Sequence, residues 1–122
     1  MSIHPPVIIR GFGSISPLGS EVNEVGNSLL SNETFIKNHP IQNNDVLCAT
    51  LNRDCESIVK ALQSSHKNYA KLDRSVLFAI LASRRAYAMA EWTNDGTAIG
   101  ISIGSSRGAT EKWEEYHQSF LE

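Results

Sequence analysis

The sequence predicts an α/β chain with a mixed or mostly parallel sheet and one helix buried between layers. Three observations carry that expectation. "VIIR" (7–10) is a short, continuous, β-branched run, the pattern of a strand covered on both faces. "LDRSVLFAILASRRAYAMAEW" (72–92) is rich in alanine and apolar around most of its circumference, as a helix enclosed by other layers is. Finally, "TAIGISIG" (97–104) is a second apolar strand pattern, and it completes the order β, α, β, α, α, β, α.

The remaining elements follow from periodicity and turn chemistry. After the glycine-rich stretch "GFGSISPLGS" (11–20), Val22, Val25, Leu29 and Leu30 recur at helical spacing, and the helix ends near Asn32. Gly26 weakens it by roughly 1 kcal/mol relative to alanine, so packing must supply its stability. Residues 33–46, with "NHP" and "QNND", read as a polar connection, and "VLCATL" (46–51) as a strand. "DCESIVKALQSS" (54–65) reads as a helix capped by Asp54, with Ile58, Val59, Ala61 and Leu62 as its apolar positions. "TNDG" (93–96) is a turn. "GSSRGA" (104–109) is a second glycine turn leading into the helix "TEKWEEYHQSFL" (110–121), with Glu111 and Glu114 placed in its first turn. Trp113, Tyr116 and Phe120 form that helix's apolar stripe beside a solvated, charged face.

Composition narrows the function classes. The 122 residues are 41% hydrophobic and 20% charged, ordinary globular usage that argues against disorder. A net charge of −2 lacks the basic footprint of a nucleic-acid binder. No apolar run reaches membrane-spanning length, and "MSIHPPVIIR" is not a signal peptide. Cys48 and Cys55 without a secretion signal fit a reducing cytoplasm.

The glycine stretch is not a nucleotide fingerprint. Gly11 and Gly13 match G-x-G-x-x-G, but its third position is Ser16, followed by Pro17, and no lysine follows Gly19 as a P-loop needs. The glycines instead permit a tight bend and close backbone packing. Cys48 reads as a small core residue. Cys55 sits where a helix dipole favours a thiolate, with nothing else in the sequence to make it a nucleophile. His4, His39, His66 and His117 have no metal-ligand spacing, so neither a metal nor a cofactor is expected. Asp73–Arg74 has two readings, an N-cap by Asp73 and an anion site. Residue chemistry alone yields no catalytic constellation.

Three stretches in order carry a family resemblance. "VIIRGFGSISPLGSEVNEVGNSLLSN" resembles the first strand, "G-x-G-x-x-S-P-x-G" turn and first helix of β-ketoacyl-acyl-carrier-protein synthases. "KLDRSVLFAILASRRAYAMAEW" is similar to their buried basic-x-Asp helix, and "AIGISIGSSRGATEKWEEYHQSF" to the next strand, glycine–serine turn and helix. The resemblance implies the amino-terminal portion, 1–122, of a thiolase-like layered αβαβα fold, with Gly11, Gly13, Pro17, Gly19, Gly104 and Gly108 as structural turns.

It also implies a parent reaction: acyl transfer to cysteine, then decarboxylative Claisen condensation with a malonyl thioester on acyl carrier protein. The family's nucleophilic cysteine and two histidines lie beyond the matched portion, so no catalytic residue is expected in this chain and it is expected to be inactive alone. Ser106 and Arg107 occupy the turn that lines the family's acyl pocket. Arg107 either faces that pocket or points outward to pair with Glu111 or Glu114. A chain lacking the later layers exposes apolar surface, so self-association or pairing with a longer synthase chain is expected. A non-catalytic, chain-length-determining partner subunit and a small α/β binding domain are the alternatives.

Overall fold

The structure is a computed structural model describing residues 6–93, 95, 96 and 98–122. His4, Asn94 and Thr97, which figure in the histidine, turn and strand expectations, lie outside the described residues. The elements are helix α1 (Val22–Leu30), strands β1 (Lys37–Ile41) and β2 (Asn44–Cys48), then helices α2 (Arg53–Ser65), α3 (Arg74–Met89) and α4 (Thr110–Leu121). A single 3₁₀ turn, Tyr69–Lys71, precedes α3. The chain is mixed α/β, but among the described residues its sheet is one antiparallel hairpin.

The core lies between α2 and α3. Val59 and Leu62 of one helix meet Leu77 and Leu81 of the other, and Ile15, Leu51, Phe78 and Ile80 pack around them. Leu77 is fully buried, at 0% exposure. Asn52 caps α2 by accepting a 2.8 Å hydrogen bond from the Cys55 amide, which displaces the expected Asp54 cap by two residues. Asp73 caps α3 as expected, accepting from the Ser75 amide at 2.7 Å. The two capped starts are held together by Arg74, whose guanidinium forks onto Glu56 at 2.5 and 3.3 Å and lies 5.4 Å from the Phe78 ring.

Four further expectations need correction. Residues 7–10 form no strand: Val7 and Ile9 are 99% and 87% exposed. Residues 98–103 likewise form no strand, with Ile101 and Ile103 more than four-fifths exposed. A continuous apolar strand is stable only between covering layers and beside paired backbone, and neither stretch has these among the described residues. The third correction is the polar connection at 33–46, most of which is a hairpin; the strand expected at 46–51 is present only as Val46–Cys48, the end of β2. Ile41 faces Asn44 across a two-residue turn where Gln42 takes a left-handed φ of 55°. The closing pair of such a turn exchanges both backbone bonds, so Pro40, opposite Asp45, falls at a non-hydrogen-bonded position where its missing N–H removes no ladder bond.

Last, α3 is not enclosed: within it only Leu77 and Leu81 are buried, and Tyr87 and Met89 are about half exposed. The α4 stripe is open too, Trp113, Tyr116 and Phe120 being 68%, 68% and 86% exposed. Glu111 stands in the first turn of α4, with Glu114 beyond it.

Candidate functional site

The glycine stretch lies against α3, and the fit is tight at two points. A Cβ on Gly11 would collide with the Ala86 carbonyl oxygen and approach the Ala90 amide nitrogen to 2.8 Å. On Gly13 it would collide with the Ala82 carbonyl oxygen and lie 2.8 Å from the Arg85 Cβ. Only residues without a side chain let the two backbones come this close. Ser16-Pro17-Leu18-Gly19 then makes a β-turn, with the Ser16 and Gly19 backbones bonded to each other at 3.0 and 3.1 Å. Serine first, proline second and glycine fourth are the residues such a turn favours. Ser28 of α1 donates to the Leu18 carbonyl at 2.9 Å, so the turn is anchored to the helix that follows it.

Glu24 joins these parts. Its Oε2 accepts from the Ser20 amide at 2.9 Å and the Glu21 amide at 3.4 Å, while its Oε1 accepts from Asn52 Nδ2 at 2.7 Å. The Ser20 amide above all holds this carboxyl below its ordinary pKa. The Glu21 amide, Asn52 and the Arg85 charge add to that effect against opposing desolvation. Arg85 also donates to the Ser20 carbonyl and pairs with Glu21 at 2.9 Å. The chain's own carboxylate thus occupies the Ser20 and Glu21 amides just ahead of α1. Beside this network an apolar groove of about 490 Å³ opens between α1 and α3, lined by Phe12, Val22, Val25, Leu29 and Met89.

The second turn is built differently. Gly108 takes a φ of 70°, and its amide donates to Ser105 Oγ at 2.9 Å. A Cβ on Gly104 or Gly108 would meet nothing within 4 Å. Ser106 and Arg107 are exposed there, and among the described residues Arg107 pairs with neither Glu111 nor Glu114. The Glu111 backbone is instead bound to Asp73: its amide donates to Oδ2 at 3.1 Å. This bond was not legible in the sequence, because no local signal couples a cap to a residue in another helix. Glu24 was more legible, three residues after the helix-capping Glu21.

Cys55 is buried at 1% exposure under α2, and half-buried Cys48 ends β2. Among the described residues no group of three His, Cys, Asp or Glu side chains could hold a metal. No helix among them is long and apolar enough to cross a membrane.

Of the features that carry the resemblance to condensing enzymes, the structure retains the glycine turn on α3, the aspartate-capped α3 and the glycine–serine turn before α4, but, among the described residues, neither strand and not the burial of α3. Comparison with known proteins points to the same class. No family model matches the chain, and no solved structure does. Curated sequences do: the chain is distantly homologous to 3-oxoacyl-(acyl-carrier-protein) synthase 2. With the Staphylococcus aureus protein it shares 28% identity over 125 residues, covering 100% of this chain and 30% of that one. With the Coxiella burnetii protein of the same name it shares 28% over 125 residues, covering 94% of this chain and 28% of that one. The chain thus spans about 30% of the length of the curated relatives it matches.

Proposed function

We propose that this chain is the amino-terminal portion of a 3-oxoacyl-acyl-carrier-protein synthase, residues 1–122 forming an incomplete part of a thiolase-like domain. The observation that carries the reading is the homology to such a synthase over the whole of this chain. The parent reaction is the decarboxylative condensation of an acyl and a malonyl thioester, with acyl carrier protein as the partner that the relatives' name specifies. A thiolate nucleophile and groups that stabilise the developing oxyanion carry such chemistry. On this reading neither Cys48 nor Cys55 is the nucleophile, and this portion alone is expected to be inactive. Its contribution is architectural. Gly11 and Gly13 seat the first turn on α3, and in the complete enzyme the turn at 104–109 would bring Ser106 and Arg107 to the wall of the acyl pocket. A cytoplasmic setting belongs to the same reading.

The test is the intact mass of the protein in its source cell. The expected result is a mass about three times 13.4 kDa, since the relatives are about three times this length. A 13.4 kDa chain that co-purifies with a longer synthase would make it a non-catalytic partner subunit. The same mass found as a lone monomer would leave a small binding domain and overturn the proposal. In the longer enzyme, Arg107→Ala is expected to change which acyl chain lengths are accepted, read as relative rates across a series of acyl thioesters.

A further inference from the structure

We propose that Asp73 is a positioning residue whose two carboxylate oxygens divide their work, one capping α3 and the other docking the start of α4. This role follows from the carboxylate's own bonds and stands apart from the condensing-enzyme reading. Asp73 is 5% exposed, although it lies at a helix terminus where aspartates are ordinarily solvated. Its Oδ1 accepts from the Ser75 amide at 2.7 Å and the Ser75 hydroxyl at 2.6 Å. Its Oδ2 accepts from the Glu111 amide at 3.1 Å, across 38 residues of chain. One buried anion thus answers the free amides of two helix starts, and both positive helix ends favour it. Lys112, next to Glu111, adds a further favourable charge.

Among the described residues little else holds α4. Its aromatic stripe is exposed, and its ion pair, Lys112 with Glu115, lies within the helix. The turn carrying Ser106 and Arg107 precedes this docked start, so Asp73 also sets where that turn stands relative to α3.

A single substitution separates the two roles. Asn caps helices about as well as Asp, but its amide offers one acceptor oxygen and one donor nitrogen. Asp73→Asn can therefore keep the Ser75 bond while facing the Glu111 N–H with a donor. Amide hydrogen exchange and proton shifts would be followed by NMR on the full chain for the wild type, Asp73→Asn and Asp73→Ala. In Asp73→Asn the Glu111 amide is expected to exchange about tenfold faster or more, the loss of a charge-assisted bond. Its proton resonance should also move upfield, while Val76 and Leu77 keep their protection. Asp73→Ala should release both helix starts. An unchanged Glu111 amide in Asp73→Asn would overturn the inference. So would equal acceleration in α3 and α4, or global unfolding with the cap retained, since either would mean that Asp73 serves the fold as a whole.

Discussion

Gly13 and Gly26 lack the same atom for opposite reasons, and substitution should tell them apart. A Cβ at Gly13 has no room beside Ala82 and Arg85, so Gly13→Ala should destabilise the chain by roughly 1–3 kcal/mol. At Gly26, inside α1, a Cβ meets nothing within 4 Å, and Gly26→Ala should stabilise by up to about 1 kcal/mol. Urea unfolding midpoints measure both, and a loss at Gly26 would contradict the open space. Leu77→Ala removes the most enclosed side chain of the core and should cost about 2–5 kcal/mol on the same scale. Acid should weaken the molecule through three carboxylates whose pKa values are lowered: Glu24 by the Ser20 amide, Glu56 by Arg74 and Asp73 by Ser75. Each contributes stability that is fully present above the unfolded carboxylate value of about 4 and is lost as pH falls through the lower folded value. Thermal midpoints should therefore hold from neutral pH to about 5 and decline below 4, and Glu24→Gln should flatten the decline.

At the scale of elements, legibility followed the period. The four helices were readable because apolar residues recur at 3.6-residue spacing in α1 and α2, and because Asp73 announces α3. The cap of α2 was misplaced because Asn52 and Asp54 are both good caps, and only the bond to the Cys55 amide chooses between them. The hairpin was only partly readable: the strand expected at 46–51 overlaps β2 at Val46–Cys48, but β1 was missed. Its strands bury almost nothing, so no alternation of apolar and polar residues marks them, and its turn uses Gln42 where glycine or asparagine would have been the signal. The opposite error came at 7–10 and 98–104. Those runs have strand composition, but a strand is a relation between chains of backbone, and composition alone does not supply the neighbour. The same limit hid the bonds from Glu24 to Asn52 and from Asp73 to Glu111, which join residues far apart in sequence.

For the molecule as a whole, the sequence indicated more enclosure than this chain provides. Val7, Ile8, Ile9, Ile101, Ile103, Trp113 and Phe120 all stand largely exposed. The isolated 122-residue chain should therefore associate as its concentration rises, which sedimentation velocity would show as a shift from monomer to larger species. A monomer at every concentration would mean that these segments rearrange to cover one another. Among the described residues, the buried apolar ones, in contrast, all fall between Cys55 and Ala90. Contacts confined to so short a span close small loops, which form fast and need little from either flank. The α2–α3 pair is thus placed to act as a folding nucleus. On a ribosome it could assemble as soon as Ala90 has emerged, leaving the glycine turn to dock backwards onto a finished α3 and α4 to dock forwards onto Asp73.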